Sequence, residues 1–468
     1  MDEASLTQCE QEQLHRSGAI QPHGTLLVLG PDGGVSHAAA NLSRFLDGQP
    51  ADWLGRPAPG PLAAIAAEVG PSPGSRKVWE ATLDGVEGPL NCVANRSASG
   101  TIVLELTPGP AESVVRPWSQ TPPPVIADEA GLAEAQREIT RTIAGLTGFQ
   151  RVMYYRFRED GDGEVIAETR REEVYGSYLG LRFPASDIPR IARELYLKNP
   201  WRLIPDAAAE PVPILGLDAT TPDLTWSDMR SVSPVHRVYL ANMGVRASLS
   251  FPIVIGGGLS ALIAAHHSEA TTLPTALLGL ASERARAHAF AVMMYQSEKR
   301  LRMVDNYSRR IESVTALLQR HGAIETAWPE LVPWLMEQFL ADGVTLCIDD
   351  HSLSSGQTFE PSALAAFDHW FVGRKGDFVW IGDCLSRQVP DVGLSEVAGV
   401  LAMSIHRQKG RGLRLYFTRR EHLHEVAWGG NPDKPVEFHD GNLGIAPAAP
   451  SNAGSRSASV TVGPGTMS

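Results

Sequence analysis

Cys9-Glu10-Gln11-Glu12-Gln13-Leu14-His15-Arg16-Ser17-Gly18-Ala19-Ile20-Gln21-Pro22-His23-Gly24, taken with Pro184-Ala185-Ser186-Asp187-Ile188-Pro189 much further along, governs how the rest of the chain is read. Alone, a cysteine near an N-terminus is a tolerated surface residue. The stretch 9–24 could extend to about 50 Å, so it could deliver that thiol to a neighbouring domain. Asp187 lies between two prolines that stiffen the backbone, and by itself it reads as a turn or helix-cap residue.

The remaining composition is that of a folded, multidomain protein. The chain has 468 residues, 43% hydrophobic and 20% charged, enough for roughly three domains at about 150 residues each. Neither a signal peptide nor an apolar run of about 20 residues is present, which predicts a cytoplasmic protein with no membrane contact. A net charge of -12 argues against nucleic-acid binding, which needs a basic footprint. The four cysteines, Cys9, Cys92, Cys347 and Cys384, are scattered without a CxxC pair, so neither zinc nor a disulfide framework is indicated.

Three folded segments follow from composition. Residues 1–108 alternate apolar strands (24–29, 101–106) with a helical patch (61–69). Prolines through 109–127 mark a linker, because consecutive prolines cannot enter a central ladder. Residues 128–295 predict a helix at 129–146, strands at 151–157 and 164–170, a helix after Pro189, and strands at 247–255 and 259–267. Gly256-Gly257-Gly258 between the last two is a hairpin turn or, alternatively, a phosphate-cradling loop. The stretch 277–319 is one long helix with an apolar seam through Phe290, Met293, Met294, Leu301, Val304, Ile311, Val314 and Leu318. That seam is either a dimer contact or plain core. Residues 296–445 mix helices (326–339, 394–406) with strands (345–348, 378–381, 413–418), and 446–468 read as a disordered tail. On this pattern the first segment reads as α/β and the other two as mixtures of helix and strand, with the long helix between them.

The two opening stretches together resemble the chromophore attachment segment and pocket of a bacteriophytochrome, a red/far-red photoreceptor carrying biliverdin. The resemblance runs from Cys9 through Trp428-Gly429-Gly430-Asn431-Pro432 and implies PAS, GAF and PHY domains in that order, hence an α+β fold class in which each domain is an antiparallel sheet with flanking helices and a long helix joins them. It implies a covalent thioether from Cys9 to a biliverdin vinyl group, with the N-terminal segment passing through a loop of the next domain. Arg202 and Arg230 would hold the two propionates, since guanidinium forks match carboxylates, helped by Ser233, Ser248, Ser250 and Tyr196. His236 would sit over the pyrrole nitrogens and His266 would bond the carbonyl of the rotating ring, with Tyr155, Phe183 and Tyr239 around that ring. The Asp187 carbonyl would take the pyrrole N–H groups. Arg237 follows His236 where plant and cyanobacterial relatives place their attachment cysteine, which favours biliverdin.

Two departures bear on function. The family's PHY tongue returns through a Pro-Arg-x-Ser-Phe motif, but Gly441-Asn442-Leu443 is followed here by Gly444-Ile445-Ala446-Pro447. An incomplete PHY domain and a quickly reverting photoproduct are expected. No kinase domain is present, so a homodimer signalling through a separate histidine kinase or response regulator is expected, with no catalysis of its own. The rival readings are a degenerate PAS/GAF scaffold and a cyclic-nucleotide or haem sensor. No nucleotide fingerprint or catalytic triad supports an enzyme.

Overall fold

The computed structural model describes residues 13–79, 81–109, 125–174, 176–348, 351–374, 378–389, 392, 396–406, 412–420, 423–429, 436–439, 442–445 and 459–462. Cys9, most of the proline-rich linker and most of the tail lie outside the described residues. The chain divides into two compact units, Met1–Ser297 with Ala427–Ser457, and Glu298–Val426 with Ala458–Ser468.

The first unit contains two large sheets. Strands β1 (Ala19–Ile20), β2 (Thr25–Leu29), β3 (Val35–Ala39), β4 (Arg76–Val78), β5 (Leu83–Gly85), β6 (Gly88–Arg96) and β7 (Ile102–Pro108) build the first. All five residues of β2 are buried because the strand is covered on both faces. On one side Leu27 and Leu29 pack with Leu62 and Ile65 of helix α1 (Gly60–Ala67). On the other, Leu26 and Val28 meet Leu224 and Met229 from further along the chain.

The second sheet runs β10-β9-β8-β14-β13-β11, from strands β8 (Arg151–Phe157), β9 (Gly163–Arg170), β10 (Arg182–Phe183), β11 (Arg202–Ile204), β13 (Ala247–Ile255) and β14 (Gly258–His267). A further strand, β12 (Val212–Gly216), leaves this domain to join the first sheet between β1 and β3. Residues around β1 consequently run between two segments of the second domain. The Ile214 amide donates to the Gly18 carbonyl at 2.9 Å, while the Gln21 amide donates to Met229 at 2.8 Å and the Ser231 amide to Ala19 at 3.0 Å. Gly256 and Gly257 have φ of +59° and +81°, the tight turn between β13 and β14. Positive φ at both positions is what a two-residue hairpin demands, so this is a turn and not a phosphate loop.

Strand alternation divides the second sheet into a core face and a cavity face. Val152, Tyr154, Leu249, Phe251, Ile263 and Ala265 pack against helix α2 (Glu129–Thr147) and the start of helix α5 (Thr275–His321). Met153, Tyr155, Leu262 and Ala264 face the other way, towards helices α3 (Arg190–Tyr196) and α4 (Pro234–Asn242). Helix α2 starts cleanly because the Asp128 carboxylate caps the Gly131 amide at 2.7 Å. Helix α5 is continuous for 47 residues. Its seam residues Leu301, Val304 and Ile311 are 67%, 54% and 64% exposed, so within one chain they are not core.

The second unit holds a five-stranded sheet in the order β16-β15-β19-β18-β17, from β15 (Gly343–Ile348), β16 (His351–Gly356), β17 (Val379–Gly382), β18 (Val397–His406) and β19 (Gly412–Arg420). Helix α6 (Ile324–Gln338) covers one face at Val344, Leu346 and Phe417. Helix α7 (Pro361–Gly373) covers the other at Cys347, Ala402 and Tyr416. The helix expected at 394–406 is instead β18. Covered on both faces, a central strand carries an almost continuous apolar run, and over ten residues that run is indistinguishable from a buried helix. The tail expected to be disordered contributes Ser459–Val462, a short strand on Leu423–Val426, consistent with its β-branched Val460, Thr461 and Val462.

Candidate functional site

The cavity face of the second sheet, together with α3, α4 and the segment before each, encloses about 210 Å³ of water-accessible space. Of the residues singled out from sequence, Tyr155, Phe183, Asp187, Tyr196, Arg202, Arg230, Ser233, His236, Tyr239, Ser248, Ser250 and His266 all line it. Cys9 lies outside the described residues, but Leu14 is part of the lining.

Register explains this convergence. Arg202 is the Cα partner of Ser250, and Ser248 is the partner of both Ile204 and His266, so these polar side chains share the cavity face. Arg202 is buried and donates to the backbone carbonyls of Asp228 at 2.5 Å, Arg230 at 2.8 Å and Ser231 at 3.3 Å. Arg230, also buried, donates to the Ser227 carbonyl at 2.6 Å. Burial, and then repulsion from Arg202, pulls the Arg230 guanidinium down to about 9, still charged at neutral pH. This wall of the cavity is cationic.

A second part of the lining is aromatic. Tyr155 and Phe183 have ring centroids 5.9 Å apart, and Phe183 meets Tyr178 edge-on at 6.0 Å. His236 stacks on Tyr239 at 5.9 Å with an interplanar angle of 12°, and the Tyr239 hydroxyl donates to Asp187 at 2.9 Å. Burial first, and Arg202 second, drives His236 down to about 4, while burial, Arg151 and His236 drive His266 down to about 3. Both imidazoles are therefore neutral at physiological pH, each with one N–H donor and one acceptor nitrogen. His266 Nδ1 and the Tyr155 hydroxyl are buried in this part of the lining with no hydrogen-bond partner among the described residues. Unpaired buried polar atoms are costly, so they point to a ligand that supplies the missing bonds.

Two residues that shape the cavity escaped sequence reasoning. Met153 could have been found from the alternation of β8, since it shares a face with Tyr155. Gly163 could not: a Cβ there would fall inside the Tyr155 ring, so glycine is needed for that ring to take its place. Beyond Phe183 the Arg182 amide donates to Ala427 and the Gly429 amide to Arg182, both at 2.8 Å, and the Arg182 guanidinium lies 5.6 Å over Trp428. The outgoing arm of the expected tongue thus borders the cavity at Ala427–Gly429, while 430–435 lie outside the described residues. Val436–His439 and Asn442–Ile445 pair as a short hairpin.

Three family models match the chain: a PAS fold over residues 9–108, a GAF domain over 131–292 and a phytochrome region over 308–449. A bacteriophytochrome of Xanthomonas campestris pv. campestris is 31% identical over 464 residues, which cover 91% of this chain and 70% of that protein. The chain belongs to the bacteriophytochromes. A bacteriophytochrome of Pseudomonas aeruginosa is 33% identical over 92% of this chain, which spans about 60% of that relative's length. Among solved structures, the Stigmatella aurantiaca phytochrome photosensory core module superposes with a TM-score of 0.75 at 30% identity, covering 93% of this chain and 90% of that one. The bacteriophytochrome RpBphP3 from R. palustris superposes with a TM-score of 0.76 at 28% identity, covering 93% and 91%.

Membership implies a bilin chromophore, and the cavity of this bacteriophytochrome fits one. A flat conjugated dicarboxylate needs two cationic anchors, apolar walls and partners for its inner N–H and terminal carbonyl groups. Each is present in the lining residues. Among the described residues, no group of three or more His, Cys, Asp or Glu side chains could hold a metal ion. No described helix is long and apolar enough to cross a membrane.

Proposed function

We propose that this chain is the light-sensing part of a red/far-red photoreceptor that binds biliverdin in the cavity described above, through a thioether at Cys9. The observation that carries this reading is the pairing, in one cavity, of two buried guanidiniums with two neutral histidines and a buried hydroxyl that has no partner among the described residues. Arg202 and Arg230 anchor the propionates, with Tyr196, Ser233, Ser248 and Ser250 completing the shell of donors. His236 and the Asp187 carbonyl face the pyrrole nitrogens, and His266 donates to or accepts from the ring that turns. When bound, the bilin supplies absorption of red light and isomerisation about the double bond joining its last two rings. Tyr155, Phe183 and Tyr239 give that ring an aromatic slot, and the Tyr239 bond to Asp187 links the slot to the 184–189 segment.

Absorption spectra of the protein mixed with biliverdin, taken before and after red and then far-red illumination, test the reading. Bands that interconvert reversibly are expected, with dark reversion that is fast because no Pro-Arg-x-Ser-Phe return arm is present in the sequence. Failure to bind pigment would leave the scaffold reading in its place.

In the same reading two copies pair along helix α5, whose exposed Leu301, Val304 and Ile311 form a seam that would otherwise face water. A Leu301→Glu, Ile311→Glu double variant should sediment as a monomer. Sedimentation of that variant as a dimer would move the contact elsewhere.

A further inference from the structure

Behind the two cavity arginines lies a buried ionic cluster that reaches into the first sheet. Asp228 accepts from Trp201 Nε1 at 3.1 Å and from the Leu203 amide at 3.0 Å, with Arg202 3.9 Å away. Glu105, on β7, is 5% exposed and accepts from Asn95 Nδ2 at 2.8 Å, from the Ser227 hydroxyl and from the Asp228 amide. Arg76, on β4, lies 4.5 Å over the Trp201 ring and faces both carboxylates. The loop through Ser227 and Asp228 therefore touches Glu105 on one side and the cavity arginines on the other.

Charge in this cluster does not balance. Arg76, Arg202 and Arg230 set three guanidiniums against the two carboxylates of Asp228 and Glu105, leaving one positive charge. A ligand bringing two carboxylates to Arg202 and Arg230 would turn that into one negative charge away from water, which is expensive at low dielectric. One proton restores neutrality, and the two acids differ in their claim on it. Asp228 has Arg202, Arg230 and Arg76 around it and two donors on its oxygens. Glu105 has Arg76 as its main cation and Asp228 against it, and burial already pushes its carboxyl up to about 7. The other titratable neighbours are Cys92 on β6, its thiol pushed up to about 12, and Tyr196, which faces Arg202 and Arg230. His23 and His236 are each drawn down to about 4 by burial and then by Arg202, so that either imidazole is further from taking the proton at neutral pH than Glu105.

We infer that Glu105 takes up a proton when a dicarboxylate seats against Arg202 and Arg230, so that occupancy of the cavity is registered in the first sheet. The inference rests on the dicarboxylate reading of the cavity given above. Linkage fixes its sign: the ligand's negative charge raises the Glu105 value further, so binding is tighter at lower pH. Affinity should fall by up to about tenfold per pH unit above the ligand-free value, while about one proton is bound per ligand.

The test adds biliverdin to the full chain in weakly buffered solution with an indicator dye, at pH 8 and pH 6, following pigment absorbance in parallel. At pH 8 the parent protein should take up about one proton more than the Glu105→Gln variant, and at pH 6, where Glu105 is already mostly protonated, the difference should disappear. Protons bound by the pigment itself appear in both proteins and cancel. Equal uptake in both proteins at pH 8, with pigment bound, overturns the inference alone. Should the variant fail to fold, the parent protein still decides the matter, because uptake that is the same at pH 8 and pH 6 overturns it. No absorbance change in the parent overturns the cavity reading and this inference with it.

Discussion

A Cys9→Ala protein given biliverdin will bind it and shift its absorption, yet show no pigment band on a denaturing gel, whereas the parent chain keeps one. The covalent step is an addition: the sulfur bonds to one vinyl carbon, the thiol proton ends on its neighbour, and no oxidant is required. Retention without the thiol follows because Arg202, Arg230 and the aromatic walls do not involve Cys9. Leu14 lines the cavity, and the five residues back to Cys9 could span at most about 17 Å, enough to reach it. Two other thiols are poorly suited to compete. Burial pushes Cys92 up to about 12 and Cys347 up to about 11, leaving almost no thiolate at neutral pH. A band that survives the substitution would sink the assignment and move attention to half-buried Cys384.

Arg202→Leu should be far more damaging than Arg230→Leu, although both would contribute one guanidinium to the ligand. Arg202 satisfies three backbone carbonyls and offsets the buried Asp228 carboxylate. Removing it strands those groups, and loss of one partner from a buried charged pair costs about 3–5 kcal/mol. Arg230 satisfies one carbonyl, repels Arg202 and is a lesser cation than Arg202 beside Asp228, so its loss should cost clearly less stability. It should still weaken pigment binding by roughly tenfold to a hundredfold, the worth of a hydrogen bond to a charged group. Denaturant melts of the ligand-free proteins, followed by absorbance titrations, separate the two effects. Equal stability for both variants would show that the Arg202 contacts to the 228–231 loop contribute little to the fold.

Much of the site was legible in the sequence through the family resemblance carried by 9–24 and 184–189, because an arginine or histidine taken singly reads as an ordinary surface or core residue. By spacing alone only Ser248 and Ser250, two apart on one strand, pointed to a shared polar face. The neutral state of the histidines was not legible, since it comes from burial and from Arg202 and Arg151, which lie far away in sequence. The cluster of Arg76, Glu105 and Asp228 was equally hidden. Each reads singly as an ordinary surface charge, and only the packing of the first sheet against the 224–231 loop makes them one ionic group.

What the sequence determined by itself was the order of the domains, the strand alternation that gives the second sheet a cavity face, and the chemistry of the residues on it. These depend on local periodicity and residue type, which survive without knowledge of partners. The tertiary structure alone decided that 397–406 is a strand, that β12 leaves the second domain to pair between β1 and β3, and that Gly163 makes room for Tyr155. Each of those depends on what packs against the segment from elsewhere in the chain. A long-range contact of that kind leaves no periodic trace in either stretch that makes it.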